Sequence, residues 1–266
     1  MMIAKLLLVL ACIYVLLCLI LYQIQERFIF YPLRLSDDYP FNEFRNVEEV
    51  YFPIDAQTRL HALHFHVDRP RGIILYFHGN ARALDNWGYA AADFTQRGYN
   101  VFMPDYRGYG KSTGTLSEAA LLSDAQIIYD SLRQQYPNQD LLLYGRSLGT
   151  GIACDLATKV DARLLLLETP YLSLLAMAQA QMPFFPANLL LRYPMRSDLK
   201  ITQIKMPAYL FHGTQDELIP YAQAVELSRI YQPNRLFTIK GASHNNLSEF
   251  AAFQEKLDDL LGPRLR

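Results

Sequence analysis

Residues 140–150 read DLLLYGRSLGT, an apolar run that passes through a G-x-S-x-G turn into a stretch of helical period. The apolar run is typical of a buried strand. Gly145 and Gly149 flank Ser147, which places the serine on a tight turn between strand and helix, with its hydroxyl exposed. At the start of that helix, the backbone N–H of Leu148 points toward any negative charge that forms above Ser147. The stretch therefore predicts a nucleophilic serine with an oxyanion donor beside it.

Short apolar runs alternate with longer stretches of helical period on both sides of this unit. The predicted strands are residues 48–52, 60–67, 72–77, 100–104, 140–144, 163–167, 208–211 and 235–239, and the predicted helices are residues 84–97, 117–136, 148–160, 221–231 and 246–261. The later strands are continuously apolar, as strands covered on both faces are, whereas the first two follow closely and predict an antiparallel edge. The fold class is therefore α/β, a mostly parallel eight-stranded sheet with helices on both faces.

A serine hydroxyl needs a base within hydrogen-bond reach and a third group that orients the base. Both groups are expected where strands end, because chemistry in such sheets lies at their carboxyl ends. Asp216 follows the run that breaks at Gly213, and His244 follows the last predicted strand. We predict Ser147 as nucleophile, His244 as general base and Asp216 as the orienting acid, with Glu217 as the alternative acid.

The second oxyanion donor is expected in the loop after the third predicted strand, where residues 76–81 read YFHGNA. Gly79 lets the backbone approach a substrate closely. We assign the donor to the backbone N–H of Asn80, with Ala81 as the alternative. His78 is interpreted as a brace for this loop, because His244 already fills the position of the base.

Residues 6–22 form an unbroken apolar run, LLLVLACIYVLLCLILY, which is about the shortest length that can cross a bilayer as a helix. We predict a transmembrane signal anchor at residues 1–24, a juxtamembrane segment at 25–46 and a catalytic domain at 47–266. A cleaved signal peptide and a lipid anchor on Cys12 are the alternatives. With the N-terminus inside, this single-pass membrane protein would hold its catalytic domain outside the cytoplasm.

The predicted cap of this domain is an apolar insertion at about residues 171–199. Four of its side chains are expected to line an acyl groove or to touch the bilayer. They are Met182, Phe184, Phe185 and Leu189. The alternative is that these side chains only cover the sheet.

Composition and charge narrow the classes of partner. The formal net charge is −1 and no Lys/Arg run is present, so a nucleic-acid partner is not expected. His64 and His66 begin an H-x-H-x-D pattern known from metallohydrolases, and His61 lies nearby, but position 69 is Arg rather than His. We therefore predict no metal and no organic cofactor.

Six strings in fixed order resemble the serine α/β-hydrolases. They are FHGN (77–80), PDYRGYGKS (104–112), GRSLGT (145–150), LETPYLSL (167–174), HGTQDELIP (212–220) and GASHNN (241–246). The chain most resembles the N-terminally anchored branch, whose eukaryotic members include protein depalmitoylases and lysophospholipid lipases. The resemblance spans residues 28–261 and implies hydrolysis of an ester or thioester, of a small molecule or a lipid, through an acyl-enzyme. It also implies structural roles for Asp105 and Arg107. A serine peptidase of the same fold and a non-catalytic membrane scaffold stay open as alternatives.

Overall fold

The computed structural model describes residues 1–137 and 140–264. Its strands are β1 (Tyr31–Pro32), β2 (Val47–Pro53), β3 (Arg59–Phe65), β4 (Ile73–Phe77), β5 (Ala81–Arg82), β6 (Asn100–Pro104), β7 (Leu141–Arg146), β8 (Leu164–Glu168), β9 (Ala208–Gly213) and β10 (Leu236–Ile239). Its α-helices are α1 (Met2–Ile24), α2 (Glu26–Ile29), α3 (Leu84–Trp87), α4 (Ala92–Thr95), α5 (Glu118–Gln135), α6 (Leu148–Ala157), α7 (Leu174–Gln181), α8 (Ala187–Leu190), α9 (Ser197–Lys200), α10 (Tyr221–Tyr231) and α11 (Ala251–Leu261).

Eight of these strands form one sheet in the order β10-β9-β8-β7-β4-β6-β3-β2. β2 pairs antiparallel with β3, and β3 pairs antiparallel with β6, whereas the other neighbours are parallel. The predicted fold class is therefore confirmed, including the antiparallel edge. A second, two-stranded sheet joins β1 to β5 in parallel, and its strands are too short to show a sequence period.

The sheet is buried on both faces because helices cover each of them. Along β4, Ile73, Leu75 and Phe77 pack into one apolar cluster, and Ile74 and Tyr76 pack into another. Alternate residues of a strand point to opposite faces, so the two clusters are the two layers of core between sheet and helices. This explains why β4, β7 and β8 are continuously apolar rather than alternating.

One predicted helix, residues 84–97, is broken in the structure. α3 ends at Trp87, the turn Gly88–Ala91 is a 3-10 helix, and α4 follows. Gly88 lies against the ring of Phe44, and a Cβ there would be 2.4 Å from that ring. The ring of Phe44 therefore requires glycine at this position. Because glycine is a weak helix former, the regular α-helix is interrupted there.

The helix α1 is 23 residues long and has a mean hydropathy of 2.9 over its most apolar window. At 1.5 Å per residue it measures about 34 Å, slightly more than the hydrocarbon core of a bilayer. Cys18 is its buried residue, and most of its other side chains are exposed. The N-terminus therefore carries a helix that is long and apolar enough to span a membrane.

Candidate active site

Ser147 lies on the turn between β7 and α6 in a backbone conformation that L-residues rarely adopt, with φ 52° and ψ −118°. Such strain persists only where the surrounding structure enforces it. A Cβ on Gly149 would lie 2.0 Å from the carbonyl oxygen of Phe77, and one on Gly145 would lie 2.5 Å from the carbonyl oxygen of Gly149. Both glycines are therefore required for the close packing of α6 against the sheet that holds Ser147 in this turn.

The three residues predicted as a triad come together at the carboxyl ends of the strands. Nε2 of His244 lies 3.0 Å from Oγ of Ser147, and Nδ1 of His244 lies 2.8 Å from Oδ2 of Asp216. These distances are hydrogen-bond distances. One continuous chain of hydrogen bonds can therefore run from the carboxylate through the imidazole to the hydroxyl.

The carboxylate of Asp216 is held by more than His244. Its Oδ1 accepts the backbone N–H groups of Leu218 and Ile219 at 2.9 and 2.8 Å, and Nε2 of His212 lies 3.1 Å from Oδ2. Burial alone would raise the pKa of Asp216, but hydrogen bonds from His212, His244 and Ile219 outweigh it and hold the pKa well below its usual range. Asp216 is therefore ionised at every pH at which the protein is expected to work.

The alternative acid, Glu217, is exposed to solvent, whereas the side chain of Asp216 is buried beside His244. His212 is a partner of Asp216 that sequence reasoning missed. It lies near the end of β9, four residues before Asp216, in the string HGTQDELIP that was already singled out. Its position at the carboxyl end of a central strand was the available signal.

The two predicted oxyanion donors lie in the same cavity as Ser147. Leu148 is the first residue of α6, so its N–H has no place in the helix's own hydrogen-bond ladder. Asn80 is fixed by the chain that follows α1. Its carbonyl oxygen accepts the N–H of Tyr31 at 2.9 Å, and its side-chain amide donates to the carbonyl oxygen of Ile29 at 2.7 Å. The loop that would complete an oxyanion hole is thus held by the N-terminal segment.

His78 is fully buried beneath this loop. Its Nδ1 lies 2.7 Å from the carbonyl oxygen of Gly79, and its Nε2 lies 3.3 Å from a carboxylate oxygen of Asp105. Arg107 makes a two-point contact with Asp124 at 2.8 and 2.7 Å. The contact of His78 with Asp105 joins the loop after β4 to the loop after β6, and the contact of Arg107 with Asp124 joins the loop after β6 to α5.

Above Ser147 lies a cavity of about 350 Å³, a size within the range of small-molecule sites. None of its described lining residues carries a charge. From the cap, the wall includes Leu174, Met177, Ala178, Gln181, Met182, Phe185 and Leu191, and from the N-terminal segment it includes Leu21, Gln25, Phe28, Ile29 and Tyr31. The contribution of the N-terminal segment was not predicted, because nothing local in residues 21–31 indicates a distant partner.

The four cap residues predicted to contact substrate separate into two pairs. Met182 and Phe185 line the cavity. Phe184 and Leu189 do not line it, and they are 88% and 78% exposed at the surface of the cap. The structure therefore places only the first pair where a bound acyl chain would lie.

Among the described residues, Glu48, His64 and His66 form a cluster that could hold a metal ion, with ligand atoms within 4.8 Å of one another. His61 belongs elsewhere, because its Nε2 lies 2.9 Å from a carboxylate oxygen of Glu49. Burial, and to a lesser extent His66, lowers the pKa of His64 to about 3. The cluster lies toward the amino end of β6, whereas Ser147 follows the carboxyl end of β7. It is therefore separate from the triad.

Several known proteins resemble the chain in sequence or in fold. Residues 68–192 match a family model described as serine aminopeptidase, S33. The chain is 32% identical over 195 residues to Alpha/beta hydrolase domain-containing protein aho-3 of Caenorhabditis elegans, covering 69% of this chain and 55% of that protein. It is 30% identical over 204 residues to Alpha/beta hydrolase domain-containing protein 17C of Xenopus tropicalis, covering 73% and 63%. The chain thus spans somewhat more than half the length of these curated relatives.

A solved structure of an esterase from Pyrococcus furiosus superposes with a TM-score of 0.68 at 17% identity, covering 88% of this chain and 97% of that one. At this level of identity the similarity concerns the fold. The sheet order, the turn that carries Ser147 and the similarity to α/β-hydrolase domain proteins all lead to the same assignment. The chain therefore has the α/β-hydrolase fold and is similar in sequence to α/β-hydrolase domain proteins.

Proposed function

We propose that the chain is a serine hydrolase that cleaves carboxylic esters or thioesters through an acyl-enzyme. The observation that carries the proposal is the hydrogen-bonded row of Ser147, His244 and Asp216, with Ser147 lining a cavity whose described lining residues carry no charge. The relatives named as α/β-hydrolase domain proteins and the esterase with the same fold support it.

In this mechanism Nε2 of His244 takes the hydroxyl proton of Ser147 as Oγ attacks the substrate carbonyl carbon. The backbone N–H groups of Leu148 and Asn80 stabilise the oxyanion. Collapse of the tetrahedral intermediate breaks the bond to the leaving group, which receives the proton from His244. A water molecule then attacks the acyl-enzyme and gives a proton to His244. Collapse of the second tetrahedral intermediate breaks the bond to Oγ of Ser147, releases the acid and returns that proton to Oγ, and Asp216 holds the proton on Nδ1 throughout.

The cavity favours an acyl chain or another apolar group as the part of the substrate next to Ser147. Apolar side chains from α7, the cap turn and the N-terminal segment line most of it, and Gln25 and Gln181 are among its uncharged polar members. An aminopeptidase must bind the ammonium group of its substrate, and a buried ammonium needs an anionic partner. None of the described lining residues is acidic, so an ester or thioester of a lipid-like acid is favoured over a peptide.

We further infer that α1 spans the membrane once, as a retained anchor, and that the catalytic domain lies outside the cytoplasm. The length and hydropathy of α1 support the span. The hydrogen bond of Tyr14 with Phe184 and the apolar cluster that Cys18 shares with Phe185 support retention, because cleavage after the apolar run would remove both residues of the helix.

The test uses the purified full-length protein. A fluorophosphonate probe should label Ser147, as located by peptide mass spectrometry, and short and long p-nitrophenyl esters should be hydrolysed. An aminoacyl p-nitroanilide tests the peptidase alternative under the same conditions. A scaffold without catalytic function would show neither labelling nor turnover, and turnover of the anilide alone would assign the chain to the peptidases.

A further inference from the structure

The cap and α1 contact each other at three levels along the helix. Near its end, Gln25 is 6% exposed, and its side chain donates to the carbonyl oxygen of Leu190 at 3.1 Å and accepts the N–H of Arg192 at 2.7 Å. Further down, Cys18 packs against Phe185 in one apolar cluster. Still further, the hydroxyl of Tyr14 donates to the carbonyl oxygen of Phe184 at 2.9 Å. The cap therefore extends alongside the helix.

The depth of this contact follows from helix geometry. Tyr14 precedes the last residue of α1 by ten residues, or about 15 Å at 1.5 Å per residue. The hydrocarbon core of a bilayer is about 30 Å thick. If α1 spans that core, Phe184 of the cap meets the helix well inside the bilayer, within the leaflet that faces the catalytic domain.

The distribution of charge is consistent with that depth. Two uncharged runs, residues 6–25 and residues 169–191, contain no Asp, Glu, Lys, Arg or His. The first covers most of the anchor and Gln25, and the second covers much of the cap. The first charged residue after each run is Glu26 and Arg192, and these two form an ion pair at 3.1 Å. The guanidinium of Arg192 also lies over the ring of Tyr22, 5.5 Å from its centroid. Two separate segments thus change from apolar to charged at one level, where aromatic and basic side chains favour the membrane interface.

Backbone polar groups inside a bilayer must be satisfied within the protein, and several of those in residues 182–190 have such partners. The N–H of Phe185 donates to the carbonyl oxygen of Met182 at 3.0 Å, and the N–H of Ala187 donates to that of Phe185 at 2.7 Å. The carbonyl oxygen of Phe184 is taken by Tyr14. The side chains of Phe184 and Leu189 point away from the protein, as lipid-facing residues do.

We propose that the cap tip, residues 182–190, is inserted into the leaflet beside α1, and that the cavity receives its acyl chain sideways from the bilayer. The cavity wall includes Leu21, which belongs to the apolar run of the anchor, as well as Met182 at the cap tip and Ser147 at the floor. An apolar path therefore leads from the lipid to the nucleophile. This proposal rests on the proposed function and names its substrate class, an ester or thioester of a membrane-resident acyl chain.

Insertion is tested by tryptophan fluorescence in vesicles of phosphatidylcholine with brominated acyl chains. Phe184→Trp in the full-length protein should be quenched by these lipids. Tyr89→Trp is the matched control, because Tyr89 is a 63% exposed aromatic residue of the domain. Trp87 is common to both variants and to the wild type, so its signal can be subtracted. Equal quenching of the two introduced tryptophans would overturn the inserted cap.

Lateral entry is tested with Phe184→Glu and Leu189→Glu, which place a charge on the cap tip outside the cavity. Hydrolysis of a long-chain ester embedded in vesicles should fall at least tenfold. Turnover of water-soluble p-nitrophenyl acetate should stay within twofold, which also shows that the variants fold, and Tyr89→Glu should leave both activities unchanged. Equal activity of the Glu variants and the wild type on vesicles would overturn the proposal. If Phe184→Trp is quenched but the wild type hydrolyses neither ester, the inserted cap is supported and the proposed function fails.

Discussion

The triad, at the carboxyl ends of the strands, and the cap are held by different kinds of contact. At the triad, buried polar groups are fixed by short hydrogen bonds, and the carboxylate of Asp216 has two imidazoles and two backbone amides as partners. The cap depends on apolar packing against α1 and on hydrogen bonds to Gln25 directly after α1, more than 160 residues earlier in the chain. Reactivity and access to the nucleophile are thus built from separate parts, and variants in one part should affect one property.

The largest expected effect is on the triad. Ser147→Ala removes the nucleophile and should lower kcat for a p-nitrophenyl ester by about four to six orders of magnitude, as serine knockouts do in other hydrolases. Ser123→Ala, at an exposed serine of α5, is the control and should keep full activity. A folded Ser147→Ala protein with near-normal turnover would assign the nucleophile elsewhere.

Asp216→Asn should reduce kcat about 10⁴-fold, because the amide favours the wrong tautomer of His244. Glu217→Gln should change it less than threefold, since Glu217 is exposed. The two variants differ by one position in the chain and remove the same charge, so the opposite ranking would make Glu217 the orienting acid. Steady-state kinetics with one ester measures both.

The pH profile sharpens the same assignment. The folded-state pKa of Asp216 is depressed, so its carboxylate favours the folded state above the ordinary carboxyl pKa, and this stabilisation is lost only as the pH falls through the depressed value. Between pH 5 and 9 Asp216 stays ionised. We therefore expect no acid limb in kcat/KM from Asp216 in this range. A limb above pH 5 that disappears in Asp216→Asn would contradict the depressed pKa.

Within the cap, two neighbouring residues should behave differently. Each methylene buried in the cavity contributes up to about 0.8 kcal/mol, or roughly a fourfold gain in kcat/KM per carbon. Phe185→Ser should flatten this rise across water-soluble p-nitrophenyl esters while sparing the acetyl ester, because Phe185 lines the cavity. Phe184→Ser should keep the wild-type profile, since Phe184 faces outward. If the two profiles change alike, the cap is not divided into an inner and an outer side.

The smallest effect is expected at the cluster of Glu48, His64 and His66. His66→Ala removes one of the three possible metal ligands, and it should leave kcat within twofold because the cluster lies away from Ser147. Treatment of the wild type with a chelator should do the same. A loss of activity in either experiment would favour a metal-dependent mechanism over the serine mechanism.

The sheet could be predicted from sequence because each central strand is a short apolar run between turn signals, and this information is local. Ser147, Asp216 and His244 were predictable for the same reason, since each follows a strand. The insertion that forms the cap was predicted as well, but the division of its side chains was not, because the period of residues 182–187 is irregular and does not indicate that Phe185 faces inward while Phe184 faces outward. The contacts of Tyr14 and Gln25 with the cap join segments more than 160 residues apart, and no local pattern records them.

The hydrogen bonds of Asn80 with Ile29 and Tyr31 mean that the segment after α1 does more than connect the helix to the domain. A flexible linker of equal length in place of residues 27–32 would still join α1 to the rest of the chain. It would leave the loop of Asn80 without its partners, including the pairing of β1 with β5. Domain shuffling that swaps one N-terminal helix for another is therefore constrained to junctions before Gln25, and a replacement helix would lose the contacts of Tyr14 and Cys18 with the cap.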